Sequence, residues 1–485
     1  MSTASPALAH PAPSPAAELP AGPRRSRLSG TTLLALTAAL ITASTIAAYL
    51  NGRGGIDLAI FDQGLFVASR HLTMPASIIR ETVFEDHFAP GMLAFAALYR
   101  IVATPLWLLV GQGVAAFAAA KLVADRLRPN LGDRQSAWVG VALLISPPVA
   151  YCLLWDVHFI VMAVPFALAA AFALEDGHPR RALPLALLAA LFRIDVGLGV
   201  LAAFAVMPGS RKGRLRPAAL LFAYLMAAEY FEQKLGHAIF WPMHYAHLGT
   251  GPVDAVTNPL RVISTLISWR ALAKALPWLA TGAFLCLRRP RLAVVAAVVA
   301  LPVLLSHWPG TDQFFFQYGY APTFLLALAW IPLARSPERA KWVIAASTGL
   351  GLLLGPVLPA LIFPGFGYSY AASRFVPDRE VQCMVRNIPS SAGVSTTSSP
   401  LSLLAERDVA YLWPFPFAPA PAGSLPGPQH RQAVPELAQE VDYLIVPRDH
   451  GDPIPAGFTE DGATDKLLRF RRAATTVPAP RPCRP

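Results

Sequence analysis

The chain has 485 residues, of which 54% are hydrophobic and 14% are charged. Soluble domains usually carry about 25% charged residues, so this composition excludes an ordinary soluble protein and predicts a membrane protein. The formal net charge of +11 would favour nucleic-acid binding in a soluble chain. Here the basic residues lie in short loops between apolar runs, as membrane topology requires, so a nucleic-acid partner is excluded.

The amino-terminal part of the chain predicts a tail followed by a membrane helix. Residues 1–30 are rich in alanine and proline and predict a disordered cytoplasmic tail. Residues 31–50 form an uncharged apolar run of about the length that spans a bilayer as a helix. The tail is long for a signal peptide and no small-residue cleavage site follows the run, which favours a retained helix.

Further apolar runs predict a polytopic transmembrane domain over residues 31–363. They cover 105–123, 137–155, 158–174, 182–207, 217–234, 273–287, 291–306, 319–334 and 342–363. The run at 182–207 has basic loops at both ends, so we expect two short helices that enter and leave the membrane with "RIDVG" at the turn. Counting that re-entrant pair as two gives about eleven helices. This count predicts a multi-pass protein of the cell membrane, with a cytoplasmic amino terminus and an extracytoplasmic carboxyl terminus.

The composition changes after residue 364, where proline, serine and charged residues become more frequent. The stretch "AGVSTTSSPLSLLAERDVAYLWP" predicts strand, helix and strand, and "VDYLIVP" predicts another strand. Residues 364–485 therefore predict a small outward-facing α/β domain with a proline-rich loop. Cys383 and Cys483 both lie in it and could pair, although spacing alone does not show that their Cα atoms are within bonding reach.

Acids and histidines are concentrated in the predicted outward loops. The first loop carries Asp57, Asp62, Glu85, Asp86 and His87. An aspartate in such a loop is either a catalytic carboxylate or a helix cap, and Asp62 could simply lie on the wet face of an interfacial amphipathic helix. No cysteine or histidine spacing indicates a zinc site, so a divalent metal is no more than an open option here.

Three further pairs of polar residues extend this pattern. Asp156 and His158 lie in "WDVHF", where an Asp-x-His pair either binds metal, shares a proton or hydrogen-bonds at the membrane interface. Arg193 and Asp195 lie inside an apolar run, where ions are costly and mark either function or a structural salt bridge. His244 and His247 lie in "HYAHLG" on the same predicted side. We interpret these residues, with Glu85 and His87, as candidate substrate-binding groups.

Several of these motifs together resemble an uncharacterised bacterial family of polytopic membrane proteins. The resemblance rests on D-L-x-I-F-D-Q from Asp57, D-H-F-x-P from Asp86, "WDVHFIVMAVPF", "LFRIDVGLGV", "HYAHLG", "QYGYAPTFL" and "DYLIV", in that order. It covers about residues 45 to 450. One position departs from the pattern, because Arg193-Ile194-Asp195 stands where the family usually has Lys-Glu-Asp. That change puts any role of a middle carboxylate in doubt.

The family in turn looks like the GT-C class of integral-membrane glycosyltransferases, which keep an acidic motif in their first outward loop. The resemblance implies transfer of a sugar from a polyprenyl-phosphate donor to a cell-envelope acceptor at the outer membrane face, with Asp57, Asp62 or Asp86 as the catalytic carboxylate. Fold likeness alone does not establish this activity. A transporter or lipid flippase is the rival hypothesis, because broken helices with charges are also found there. A non-catalytic membrane protein is the third.

Overall fold

The computed structural model describes residues 29–71, 73–86, 88–207, 210–235, 244–280, 285–308, 317–353, 376–420, 430 and 432–473. The tail predicted for residues 1–30 and the domain boundary predicted at 364 lie outside these residues, except for the start of the first helix. Two parts are seen: a helical body and a sheet domain that follows it.

The helical body begins at Gly30 and is described as far as residue 353. Its helices are α1 (Gly30–Leu50), α2 (Ile56–His71), α3 (Val83–Asp86), α4 (Leu93–Tyr99), α5 (Leu106–Leu144), α6 (Pro147–Trp155), α7 (Phe159–Glu175), α8 (Pro179–Phe192), α9 (Ile194–Val206), α10 (Arg211–Leu235), α11 (Pro252–Thr257), α12 (Pro259–Leu266), α13 (Trp269–Ala280), α14 (Pro290–Leu305), α15 (Tyr320–Trp330) and α16 (Pro337–Leu352). A two-stranded hairpin, β1 (Pro75–Ala76) and β2 (Glu81–Thr82), follows α2.

Two of the described helices, α1 and α5, are long and apolar enough to cross a membrane. Helix α10 has 25 residues but is less apolar, and most of the remaining predicted spans correspond to shorter helices, several with a proline inside, such as Pro165 in α7 and Pro302 in α14. Proline removes a backbone donor and interrupts the helical hydrogen-bond ladder. The count of about eleven spans is therefore not confirmed.

Helix α5 joins two segments that the sequence predicts as separate. Gly132 bends it with φ 74° and ψ 169°, a backbone conformation that a residue with a side chain rarely adopts. The predicted second and third spans are thus the first arm of α5 and a unit made of its second arm and α6. The helices α1 and α5 pack closely together in the main apolar core.

The predicted break inside residues 182–207 is confirmed. Helix α8 ends and α9 begins at Arg193, which has an extended backbone with φ −160° and ψ 118°. The two helices then double back on each other, because a Cβ on Gly197 would come within 2.7 Å of the Ala190 Cβ. A side chain at residue 197 would force them apart.

The sheet domain carries five strands in the order β4–β3–β5–β7–β6. They are β3 (Val394–Thr396), β4 (Ala410–Leu412), β5 (Tyr443–Pro447), β6 (Phe458–Ala463) and β7 (Leu467–Arg472), with helices α17 (Arg379–Val385), α18 (Ser398–Leu404) and α19 (Pro435–Ala438). Strand β3 pairs in parallel with β4 and β5, whereas β7 pairs antiparallel with β5 and β6. The predicted strand, helix, strand and later strand are confirmed, whereas the β6–β7 hairpin was not predicted. Cys383 is disulfide-bonded, and its predicted partner Cys483 lies outside the described residues.

The sheet domain shares a hydrophobic core with the first loop of the helical body. One face of the sheet, including Val394 and Ile445, packs in the same core as Leu58 and Leu65 of α2. The other face has a small core of its own around Phe415. Every residue from Leu58 to Ser69 is buried, so the alternative of an amphipathic helix with one wet face does not hold here. Helix α2 is instead enclosed between the two parts of the molecule.

Candidate functional site

Asp57 lies at the amino-terminal turn of α2, where it meets the connection between α6 and α7. Its Oδ2 is 3.6 Å from Nδ1 of His158, and the Asp57 side chain is 35% exposed whereas that of His158 is 1% exposed. The imidazole therefore lies behind the carboxylate, with the carboxylate on the open side. The positive end of the α2 dipole favours a negative charge at this position.

Asp156 approaches the same helix terminus from the other side of the connection. A Cβ on Gly55 would collide with Oδ2 of Asp156, so the close approach requires glycine. Oδ1 of Asp156 accepts a hydrogen bond of 3.0 Å from the amide of Val157. The structure thus brings together three predicted site residues, Asp57, Asp156 and His158.

A buried amide that sequence reasoning missed holds this connection in place. Nε2 of Gln112, in α5, donates to the carbonyls of Asp156 (2.9 Å) and Leu153 (3.4 Å), and its Oε1 accepts from the amide of His158 (2.8 Å). Thr45 of α1 donates a further bond of 2.8 Å to the Leu153 carbonyl. The signal was visible in the sequence, because Gln112 is a polar residue within a predicted membrane span.

The sheet domain reaches the residues that precede Asp57. A Cβ on Gly54 would collide with the Ser402 side chain of α18. Ser402 itself donates a bond of 2.9 Å to the Ser399 carbonyl, which fixes its direction. The site at Asp57 therefore has one wall from the helical body and one from the sheet domain.

Asp62, the second predicted catalytic aspartate, is in a different environment. It is 1% exposed, and its Oδ1 accepts a hydrogen bond of 2.8 Å from the Tyr99 hydroxyl. The alternative that Asp62 lies on a wet helix face is wrong, because α2 is covered by α4 and by the sheet domain. A substrate at the Asp57 end would not reach this buried carboxyl group.

The third candidate region follows the β1–β2 hairpin. Glu85 and Asp86 end α3, and their side chains, with the whole of His87, lie outside the described residues. The backbone beyond them is described: the amide of Phe88 donates to Oε2 of Glu232 (3.3 Å), and the Phe88 ring stacks on Phe231 of α10. This loop therefore lies against the end of α10.

Arg193 and Asp195 form an ion pair at the break between α8 and α9. Nε of Arg193 is 3.3 Å from Oδ1 of Asp195, which also accepts a bond of 2.7 Å from the Val196 amide. The other guanidinium nitrogens of Arg193 hydrogen-bond none of the described residues, and Glu232 and Tyr318 lie within electrostatic range. The first loop packs here as well, because a Cβ on Gly91 would lie 3.1 Å from the Leu191 carbonyl.

His244 and His247 lie in a separate cluster at the end of α14. Nδ1 of His244 and the Ser306 hydroxyl are 2.9 Å apart, and His244 is buried. The His247 ring stacks on that of His307 with 3.4 Å between centroids. Burial, then the neighbouring His307 and Arg270, lower the pKa of His247 to about 4. His247 is therefore neutral at neutral pH and supplies no positive charge there.

Among the described residues, no three histidine, cysteine, aspartate or glutamate side chains are grouped as metal ligands. Asp57, Asp156 and His158 lie together at the amino terminus of α2, where Oδ2 of Asp57 is 3.6 Å from Nδ1 of His158. A divalent metal therefore stays the open option that it was from the sequence. The chemistry that the described residues offer is that of a partly open carboxylate with an imidazole behind it.

Comparison with solved structures shows the fold. The structure of ArnT from Cupriavidus metallidurans bound to undecaprenyl phosphate matches with a TM-score of 0.51 and 12% identity over 93% of this chain and 99% of that chain. The apo ArnT structure matches with a TM-score of 0.50 and 11% identity over 91% and 97%. An oligosaccharyltransferase structure from Archaeoglobus fulgidus has a TM-score of 0.40 and 13% identity over 86% and 69%. The fold is mostly helical and GT-C-like, with a small carboxyl-terminal sheet domain.

Comparison by sequence shows the family. None of the curated proteins matches this sequence. A family model described as "Predicted membrane protein (DUF2079)" matches residues 52–450, which is most of the chain and includes both the Asp57 site and the sheet domain. This chain therefore belongs to the DUF2079 family of membrane proteins.

Proposed function

We propose that this protein is a GT-C-type membrane glycosyltransferase. It moves a sugar from a polyprenyl-phosphate donor to a hydroxyl acceptor of the cell envelope at the outer membrane face. In this proposal the helical body crosses the membrane several times, and the first loop and the sheet domain lie outside. The observation that carries it is the partly open Asp57 carboxylate, backed by buried His158, in the first loop of a GT-C-like fold.

Two observations support a polyprenyl-phosphate donor: the ligand of the similarly folded ArnT, and the position of Arg193 in this chain. ArnT, whose fold is similar, has been solved with undecaprenyl phosphate bound. In this chain Arg193 uses Nε for Asp195, and a guanidinium has further N–H groups that bind phosphate well. Asp195 would hold the guanidinium in place while those groups bind the donor phosphate.

The reaction would be a direct displacement at the anomeric carbon. Asp57 accepts the proton of the acceptor hydroxyl while that oxygen forms its bond to the anomeric carbon. The bond between the anomeric carbon and the phosphate oxygen breaks, and polyprenyl phosphate leaves with the electron pair. Arg193 offsets the charge that develops on the leaving phosphate. His158 would orient Asp57. The 3.6 Å between Oδ2 of Asp57 and Nδ1 of His158 is long for a hydrogen bond, but catalytic contacts of this length often shorten when substrate binds.

The test is sugar transfer from a labelled polyprenyl-phosphate donor in membranes, with Asp57→Asn compared with Asp62→Asn. Asparagine keeps the size of aspartate but is not a base, so loss of a general base costs about 10²–10⁴ in rate. We expect that loss for Asp57→Asn, whereas Asp62→Asn should keep most of the parent rate. Protein levels are checked for both variants, and equal rates for the parent and Asp57→Asn would exclude Asp57 as the base.

The transporter hypothesis is tested by the same preparation. The ion pair at the break between α8 and α9 is the observation that favours it, since broken helices with charges occur in transporters. If the parent transfers no sugar but moves a labelled lipid across liposomes, the glycosyltransferase proposal fails and the transporter replaces it.

A further inference from the structure

The helices α11, α12 and α13 carry a stripe of apolar side chains on the outside of the helical body. Each member of this stripe is between 52% and 81% exposed: Val253, Val256, Leu260, Ile263, Ile267, Trp269, Leu272 and Leu276. The members of one helix are three or four residues apart, so they lie on one face of that helix. Folded proteins rarely leave a large apolar surface in contact with water, so another occupant is expected here.

The opposite faces of α12 and α13 are buried and carry polar groups. Lys274 is buried, and its Nζ donates to the carbonyls of Ser306 (2.7 Å) and Val303 (3.0 Å) at the end of α14. Thr265 is buried as well, and its hydroxyl donates a bond of 2.8 Å to the Arg261 carbonyl. Polar side chains inside and apolar side chains outside are the reverse of the arrangement found in water. Hydrocarbon on the outside accounts for it.

The apolar stripe continues into a predicted membrane span. Leu272 and Leu276 of α13 lie at the start of the apolar run at 273–287. Trp269 begins the same helix, and tryptophan is enriched where membrane helices meet the lipid headgroups. The surface that this span would turn towards lipid is therefore extended by α12 beyond the end of the span.

The charges along the segment also favour a lipid surface. Residues 252–280 contain three basic residues and one acid, Asp254. Oδ2 of Asp254 already accepts hydrogen bonds of 2.6 Å from the amide and from the hydroxyl of Thr250. Arg261 is exposed and follows Leu260 of the stripe, so its guanidinium would meet lipid phosphate groups.

We propose that residues 252–267 lie along the membrane surface with the side chains of Val256, Leu260 and Ile263 inserted into lipid. Helices α11 and α12 have six and eight residues, whereas a spanning helix needs about 20, so neither can cross the membrane. The segment anchors the His244 cluster to that surface, because Arg270 of α13 donates a bond of 2.7 Å to the His307 carbonyl. The inference rests on membership of a membrane-protein family and not on the proposed sugar transfer.

The experiment measures how often a nitroxide spin label collides with oxygen, which dissolves in lipid, and with a water-soluble nickel chelate. The label is attached to the full-length protein in lipid nanodiscs through Val256→Cys, Leu260→Cys or Ile263→Cys. At all three positions we expect oxygen collisions to exceed nickel collisions. The parent chain is the labelling blank, because Cys152 and Cys286 are buried.

Two further exposed positions supply the references. Leu40→Cys lies on α1, which is long and apolar enough to cross a membrane, and Thr459→Cys lies on β6 of the sheet domain. Oxygen collisions should dominate at the first and nickel collisions at the second. If Ile263→Cys does not fold, Leu260→Cys and Val256→Cys ask the same question on neighbouring turns.

Two results would overturn the proposal. Nickel collisions that dominate at Leu260→Cys and Ile263→Cys, as at Thr459→Cys, would show that the stripe lies in water. Labels that neither reagent reaches, and whose spectra are broadened by a second label nearby, would show that another copy of this chain covers the stripe instead of lipid.

Discussion

The two ends of one helix show how differently the same side chain is used. At the first turn of α2, Asp57 is 35% exposed and lies 3.6 Å from His158. Five residues later, Asp62 is 1% exposed and accepts a hydrogen bond from Tyr99 under the sheet domain. The first carboxylate can meet a substrate, and the second can only meet the protein. Environment, rather than residue type, separates a candidate base from a buried acid.

The difference arises from what covers each turn of α2. Gly54 and Gly55 precede the amino-terminal turn of α2. Ser402 approaches Gly54 and Asp156 approaches Gly55 so closely that neither position has room for a side chain. The middle turns are enclosed by α4, the β1–β2 hairpin and α18. A helix that is buried on all sides in its middle is held rigidly, so the orientation of Asp57 depends on packing that lies well away from it.

After Asp57→Asn itself, the largest effect on the Asp57 site is expected from Gln112→Leu. Leucine fills similar space but leaves the His158 amide and the Asp156 carbonyl without their partners, at roughly 1–3 kcal/mol for each buried polar group. The Leu153 carbonyl keeps the hydrogen bond that it accepts from the Thr45 hydroxyl. We expect a lower free energy of unfolding and a lower rate of sugar transfer together, whereas Asp57→Asn should lower the rate alone. Chemical unfolding in detergent and the transfer assay measure the two quantities.

Gln135→Leu is the control for that substitution. Gln135 lies on the same helix and donates a single exposed bond of 2.9 Å to the Pro337 carbonyl. It should change neither quantity appreciably, because an exposed group can bond to water instead. If Gln112→Leu were as mild as Gln135→Leu, the connection carrying His158 would not depend on this amide.

A smaller effect is expected from Gly55→Ala, which tests the close approach at the open end of α2. The added methyl group collides with the Asp156 carboxylate, and overpacking of this kind costs about 1–3 kcal/mol. Gly251→Ala is the matched control, since its φ is −169° and no atom lies within 4 Å of its added Cβ. Thermal unfolding of both variants should show a lower midpoint for Gly55→Ala alone. Equal midpoints would mean that Asp156 moves aside without cost.

Much of the architecture was predictable because it depends on local pattern. The helix break at Arg193 follows from charges in an apolar run, and the β3–α18–β4 unit follows from alternating and turn residues. The burial of Asp62 was not predictable, because α2 is covered by residues about 340 positions away in the chain, as the Gln63–Arg407 bond shows. The β6–β7 hairpin was missed for a related reason: only two residues of β7, Leu467 and Arg469, are buried, so its alternation is weak.

The smallest effect is expected from His247→Gln. The sequence made His247 a candidate substrate-binding group, but burial and the adjacent His307 lower its pKa to about 4. Since this pKa lies below the usual value of a histidine, the ring is protonated only as the pH falls through about 4 and is neutral above it. Glutamine is also neutral, so the pH profile of sugar transfer above that value should be unchanged. Arg193→Gln is the comparison, because it removes a cation that the proposal assigns to the donor phosphate. A pH profile that changes shape in His247→Gln would show that His247 is charged when substrate binds, and would move the phosphate site from Arg193 towards the end of α14.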